Sequence, residues 1–141
     1  MEDNNQFIGV INIGDETNSY NLNFGYIEGN SFNYNKNTDK FAPPPPPQTF
    51  FDAALNIKGE RYYSKILSPE NNIYTILLQY GSNNKIVLKW DNTGWDKLLD
   101  MCYIEDIASG QLGVNVDMLK CNTLTITNND ITKIKLIVKK S

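Results

Sequence analysis

Carboxylates are the only side chains in this chain whose types and spacing could support catalysis. The sequence has no histidine, which removes Ser-His-Asp and Cys-His nucleophile systems and the commonest metal-binding side chain. It also contains no Gly-rich phosphate loop, Cys-x-x-Cys pair or nucleophile elbow. A glycosidase needs only two carboxylates. The acidic residues that could supply them are Asp91, Asp96, Asp100, Glu105 and Asp106.

The spacing of these carboxylates favours turns over a catalytic or metal site. Sequence neighbours on a strand face opposite sides, so Glu105 and Asp106 cannot both enter one cleft. The segment 91–96 begins like a calcium loop but lacks the later carboxylates, and 128–130 is short. Turn chemistry is the better interpretation of both segments. The sequence therefore predicts no catalytic residue, no metal site and no cofactor.

Aromatic side chains are the stronger candidates for a binding site, because exposed rings stack on sugars or anchor protein interfaces. Those at loops or strand ends are Tyr26, Phe32, Tyr34, Tyr62, Tyr63, Tyr74 and Trp95. The set predicted to bind a ligand or partner is Phe32, Tyr34, Tyr62, Tyr63 and Trp95. Trp95 follows Gly94 in a polar loop, so it is either an exposed stacking residue or a plug over one end of the fold. Trp90 closes an alternating apolar face and is assigned to the core.

Alternation of apolar and polar residues predicts many short strands. Residues 20–26 show it most clearly, with Tyr, Leu, Phe and Tyr separated by Asn, Asn and Gly. The other strand-like runs are 7–13, 50–57, 61–67, 73–80, 86–90, 101–106, 112–118, 123–127 and 134–138. Turn residues separate them, and the 20 asparagines among 141 residues fit a chain with many turns. Only 94–99 could form a helical turn.

These strands predict one all-β domain spanning 1–141. The expected fold is an antiparallel two-sheet β-sandwich of roughly 8–10 strands, immunoglobulin-like or jelly-roll-like. A long polar loop, 27–40, and the proline run Pro43–Pro47 interrupt the regular series of strands and turns. The run could be an SH3-type ligand, an interdomain linker or a crossover between sheets. We favour a polyproline II crossover over 42–48, because strand patterns flank it and a stiff segment costs little entropy to order.

Charge and hydropathy bear on partners and location. The net charge is −3, and Arg61 is the single arginine beside twelve lysines, whereas nucleic-acid binders carry a basic surplus and arginine forks. No apolar run reaches the ~18 residues of a membrane-spanning helix. Residues 1–6 lack the regions of a signal peptide. Export by another route, a fragment of a secreted chain and a protein retained inside the cell all stay open.

Two further features concern cysteine and lysine. Cys102 and Cys121 could form a disulfide or stay as free thiols, and the sequence leaves both possibilities open. The final strand-like run carries four lysines that fit one solvated face, at positions 133, 135, 139 and 140. Lysines on an edge strand also discourage unwanted strand pairing.

Several motifs occur in an order that resembles a known module. Phe24-Gly25 is followed by a polar loop ending in Asp39, the proline run, and Phe51-Asp52-Ala53. Further motifs follow at 88–91, 103–106, 117–118 and 134–138. The order resembles, over roughly residues 20–140, a β-sandwich module of secreted cell-surface proteins in bacteria that use type IX (gliding-associated) secretion. In that family the loop often reads Ala-Thr-Asp-Gly-Tyr-Asp, whereas 32–39 here keeps only Asp39 as an acid.

The resemblance implies a sandwich fold and an extracellular or surface-exposed setting, and it implies no activity. The leading hypothesis is a non-catalytic structural or interaction protein, a subunit or module of a coat, filament or particle shell. Its partners would be other proteins or copies of itself. The alternative is a carbohydrate-binding module that uses exposed aromatic residues. A small hydrolase with two carboxylates is the third hypothesis.

Overall fold

The computed structural model describes residues 6–70 and 72–141, which form eleven strands and one turn of 3₁₀ helix, Trp95–Lys97. Residues 1–5, most of the segment that lacks signal-peptide features, lie outside the described residues. The strands are β1 (Gln6–Gly14), β2 (Ser19–Ile27), β3 (Lys40–Phe41), β4 (Asp52–Ile57), β5 (Glu60–Leu67), β6 (Ile73–Gln79), β7 (Ile86–Trp90), β8 (Leu99–Asp106), β9 (Asn115–Asp117), β10 (Thr123–Ile126) and β11 (Lys133–Lys140). The predicted all-β class is confirmed.

One hydrogen-bonded path joins ten strands in the order β10-β7-β1-β2-β5-β4-β6-β11-β8-β9, and β3 pairs with β5 beside it. Every described pair is antiparallel except β2 with β5, which is parallel. The predicted pair of purely antiparallel sheets is therefore wrong, because the described strands form one mixed sheet. A two-residue period identifies a strand and its buried face, but it does not identify its neighbour.

The two ends of this path, β9 and β10, follow each other in the sequence. The Trp90 indole N–H lies 3.0 Å from the Met118 carbonyl and 2.8 Å from that of Cys121. The backbone N–H of Trp90 also donates to the Asn122 carbonyl at 3.1 Å. The β9–β10 connection is thus attached to β7, and the sheet is nearly closed and barrel-like around a single core.

Inward-facing side chains from around the sheet fill this core. On β11, Ile134, Leu136 and Val138 are buried and alternate with more exposed neighbours. Trp90 is buried with them, as predicted. Burying one large apolar side chain stabilises a fold by about 1.5–3 kcal/mol. Because β11 lies between β6 and β8, its lysines are on an internal strand and not on an edge.

The proline run connects β3 to β4, and residues 42–47 have no strand or helix structure. The Arg61 Nε–H donates to the Pro43 carbonyl at 2.9 Å. The Gln79 amide lies 3.1 Å from the Pro46 carbonyl and 3.0 Å from that of Pro47. On β5, Tyr62 pairs with a residue of β3 on one side and of β4 on the other. The run thus passes from one side of β5 to the other, and a crossover between two sheets is not confirmed.

Candidate functional site

A stack of three aromatic rings rises from the core to the surface at the β3–β5 pair. The Tyr34 and Phe41 ring centroids are 4.6 Å apart with 7° between their planes, and Phe41 and Tyr62 follow at 4.9 Å and 24°. Tyr62 is 2% exposed, whereas Phe41 is 45% and Tyr34 is 49% exposed. Each stacked pair adds about 0.5–1.5 kcal/mol beyond the burial of its area. The outer rings are therefore held rigidly on a buried base.

A groove of about 400 Å³ lies beside the stack, lined by Phe41, Ala42, Pro44 and Pro45 and by the β4–β5 turn at 59–61. Phe32 is 36% exposed, and the Lys58 ammonium of the same turn lies 4.4 Å from its ring centroid. We define the aromatic–proline surface as Phe32, Tyr34, Phe41, Pro44 and Pro45. It includes two of the predicted aromatic residues, Phe32 and Tyr34.

A buried ion pair lies beneath this surface. The Lys65 ammonium donates to Asp39 Oδ2 at 2.8 Å, to the Phe32 carbonyl at 3.0 Å and to the Asn33 carbonyl at 2.9 Å. Both charged side chains are fully buried, and the Tyr62 ring centroid is 4.9 Å from the ammonium. Burying a charge is costly unless it is paired and hydrogen-bonded. Here each of the three ammonium N–H groups has an acceptor.

Asp39 receives hydrogen bonds from the loop as well as from Lys65. Its Oδ2 accepts the Asn35 N–H at 2.9 Å, and its Oδ1 accepts the Ile66 N–H at 3.1 Å and the Thr38 hydroxyl at 3.0 Å. The carboxylate therefore joins the loop to β5. Asp39, the one acidic residue of the segment 32–39, is thus a buried partner of lysine.

Tyr63 lies in a different place from Tyr62, because neighbouring residues on a strand face opposite sides. Its ring stacks on Tyr20 at 5.4 Å and 19°. A groove of about 400 Å³ runs beside this pair, lined by Ser19, Tyr20, Asn21, Asn23, Lys40, Tyr63 and Ser64. Burial is the main cause that raises the pKa values of both tyrosines. Of the predicted aromatic residues, Phe32 and Tyr34 therefore lie on one surface and Tyr63 lies on another.

Trp95 belongs to neither surface. It is 7% exposed and packs edge-on against Phe7 at 5.3 Å and Phe24 at 5.9 Å. Gly94 has a φ of 82°, a left-handed conformation that glycine adopts without strain, immediately before the 3₁₀ turn. Trp95 is therefore part of the buried core, and the structure does not place it as an exposed stacking residue.

Sequence reasoning missed Phe41, which completes the stack. It lies in a two-residue strand directly before Ala42 and the prolines. The sequence signal that could have identified Phe41 is an aromatic residue beside a proline run, because the rigid run holds the neighbouring ring in a defined position. Tyr62 was predicted as a contact residue, but its burial makes it the base of the stack instead.

The carboxylates considered for catalysis do not all converge. The Asp91 carboxylate accepts the backbone N–H and hydroxyl of Thr93, which lowers its pKa. Asp106 is buried and organises the turn after β8. Asp100 and Glu105 line one groove with Asp117 between β8 and β9. Across residues 6–70 and 72–141, no group of three or more His, Cys, Asp or Glu residues could hold a metal ion.

Comparisons with known proteins do not assign this chain to a family. No protein-family model matches the chain, and no curated protein and no solved structure is significantly similar to it. The resemblance to type IX-secreted surface modules therefore stays a prediction. Within the described residues, no helix is long and apolar enough to cross a membrane.

Proposed function

We propose that this protein is a non-catalytic structural or interaction protein, a subunit or module of an extracellular surface assembly. The aromatic–proline surface would be its contact with a neighbouring copy of the chain. The observation that carries the proposal is the ring stack, whose buried base is Tyr62 and whose exposed rings are Phe41 and Tyr34.

The stack has the properties of an interface anchor. Binding energy at protein interfaces concentrates in a few aromatic and arginine residues set among less critical contacts. Rigid side chains lose little entropy on binding, and Phe41 is held between two rings. Pro44 and Pro45 extend the surface with exposed rings that present no backbone N–H. Lys58 and Glu60 lie at its border, in the position of a polar rim.

Light scattering across a concentration series, with negative-stain imaging of the same samples, tests self-assembly. We expect species larger than the 16.0 kDa chain, and we expect Tyr34→Ala and Phe41→Ala to reduce them. Phe50→Ala is the matched control, because Phe50 is an exposed ring outside the defined surface. A 16.0 kDa monomer at every concentration would overturn the self-assembly proposal.

The second candidate function is a carbohydrate-binding module. The observation that favours it is the groove beside Tyr20 and Tyr63, where stacked rings lie next to the hydrogen-bonding side chains of Asn21, Asn23 and Lys40. Isothermal titration against a panel of polysaccharides tests it. A binding heat that disappears in Tyr63→Ala but persists in Tyr34→Ala would assign glycan binding to this groove. The absence of heat with every glycan would count against this function.

A further inference from the structure

We propose that the Lys65 ammonium serves as a built-in cation that orders the 30–39 loop, and that its oxygen cage accepts a small alkylammonium ion when the side chain is shortened. The loop carries Phe32 and Tyr34, so Lys65 is a positioning residue for the aromatic–proline surface. The inference does not rest on the proposed function, because its tests measure the loop itself.

The cage has the donor set and dimensions that suit an ammonium. Its oxygens are the Asp39 carboxylate and the carbonyls of Phe32 and Asn33, at 2.8, 3.0 and 2.9 Å from the nitrogen. The Tyr62 ring covers another side at 4.9 Å, as in cation–π contacts. Calcium instead takes about 6–8 oxygens at roughly 2.3–2.6 Å. The three oxygens here match the three N–H donors of an alkylammonium.

A small set of side-chain contacts attaches the loop to β5. Residues 30–39 form no strand or helix, and the exposed side chains of Phe32, Asn33 and Tyr34 lie outside the core. The loop bonds to β5 through Lys65 and Asp39. The Asn30 amide donates to the Ile66 carbonyl at 2.9 Å, and the Ser64 hydroxyl donates to the Thr38 carbonyl at 2.7 Å. Of these contacts, those of Lys65 reach the backbone of Phe32 and Asn33. Without the ammonium, two backbone carbonyls would lose their donor and the buried carboxylate would lose its counter-charge.

Chemical rescue tests the cage directly. Lys65→Ala removes the equivalent of propylammonium, so we expect lower thermal stability and faster amide exchange over 30–39. Added propylammonium or ethylammonium should reverse much of both changes. Tetramethylammonium has no N–H and should not reverse them. Lys65→Met should resist rescue because its side chain fills the space. Lys97→Ala is the control for general salt effects, since that lysine is exposed and belongs to neither the loop nor the aromatic–proline surface.

Several outcomes would overturn the proposal. Equal rescue by tetramethylammonium or calcium, or an equal response in Lys97→Ala, would show a nonspecific salt effect. If Lys65→Ala does not fold, Asp39→Asn provides the second test. It should speed hydrogen exchange at the Asn35 and Ile66 amides while leaving β11 protected. Unchanged exchange at these two amides would contradict the loop's dependence on this pair.

The intact mass of the wild-type protein is a further check. Lys65 and Asp39 are close enough for an amide crosslink, which would form a C–N bond and release one water. We expect the full mass, because the described contacts of the pair include no further acid to transfer protons. A loss of one water that disappears in Asp39→Ala would show that no free ammonium exists, and would overturn the built-in cation.

Discussion

The two cysteine side chains differ sharply in environment. Cys102 is buried with its sulfur 3.6 Å from that of Met118, and burial raises the pKa of its thiol to about 12. Cys121 is an exposed free thiol. Because the thiolate is the reactive form, we expect iodoacetamide to modify Cys121 alone in the native protein and both residues after unfolding. Peptide mass spectrometry reads this out, and two unreactive residues in the unfolded, unreduced chain would instead indicate a disulfide.

Asp106 stabilises the turn after β8 by accepting the backbone N–H groups of Ala108, Gly110, Leu112 and Val114 at 2.9–3.1 Å. Burial works to raise the pKa of this carboxyl, but the four hydrogen bonds together lower it below its ordinary 3.8. A group whose pKa is lower in the folded state stabilises the fold above its unfolded pKa, and this contribution is lost as pH falls through the folded value.

We therefore expect Asp106→Asn to cost most stability near neutral pH, with the difference from wild type shrinking as the pH falls below about 4. Urea midpoints measured from pH 7 to pH 2 check this. Asp100→Asn is the control, since Asp100 is an exposed residue on the same strand. Parallel pH profiles for wild type and Asp106→Asn would contradict the role given to these hydrogen bonds.

Exposure of the candidate aromatic residues could be only partly read from the sequence. Phe32 and Tyr34 lie in the polar loop and are exposed, as the surrounding composition suggests. Trp95 lies in equally polar sequence, yet Phe7 and Phe24 cover it. Whether a ring is exposed depends on which distant residues pack against it, and a local pattern does not contain that information.

The proline run is an element held by side chains, since proline nitrogens donate no hydrogen bond. Arg61 binds the Pro43 carbonyl and pairs with Asp52 at 2.6 Å, while Gln79 binds the carbonyls of Pro46 and Pro47. Lysine carries the same charge as arginine but lacks the planar guanidinium group that binds two acceptors at once. Arg61→Lys should therefore cost about 1–3 kcal/mol, and Gln79→Ala about 0.5–1.5 kcal/mol.

Urea denaturation of both single variants and the double variant tests this description. Because both side chains hold the same proline run, and Asp52, the partner of Arg61, lies opposite Gln79, the double variant should depart from additivity by about 0.5–3 kcal/mol. The exposed Lys97→Ala provides a control with little expected effect. A stability equal to wild type in both single variants would show that the run needs neither side chain.

Strand positions were predictable, while strand partners were not. Alternation correctly identified β2 and β11, because a face buried along one strand repeats every second residue. The parallel pairing of β2 with β5 instead rests on long-range contacts. The Tyr74 hydroxyl of β6 accepts the Gly25 N–H at 2.9 Å and lies 2.8 Å from the Lys65 carbonyl. β3 was missed because two residues are too few for any period.

The near closure of the whole sheet limits how copies of the protein could associate. Exposed strand edges invite pairing with another chain. Here the ends of the strand path are short, with three residues in β9 and four in β10, and the connection between them is attached to Trp90. Side chains on the outer face, more than open backbone, are left to make contacts, which supports our proposal that any assembly uses the aromatic–proline surface.

A nearly closed sheet around one core should also unfold as a unit, which tests the predicted single domain. Trp90 and Trp95 are both buried in the core, so their fluorescence and the far-UV circular dichroism should give coincident urea transitions. Refolding should take milliseconds to seconds, because β1 must pair with β7 and β2 with β5 across long stretches of chain. Separate transitions for the two probes would divide the chain into independent units. Microsecond refolding would contradict a fold that depends on these distant pairings.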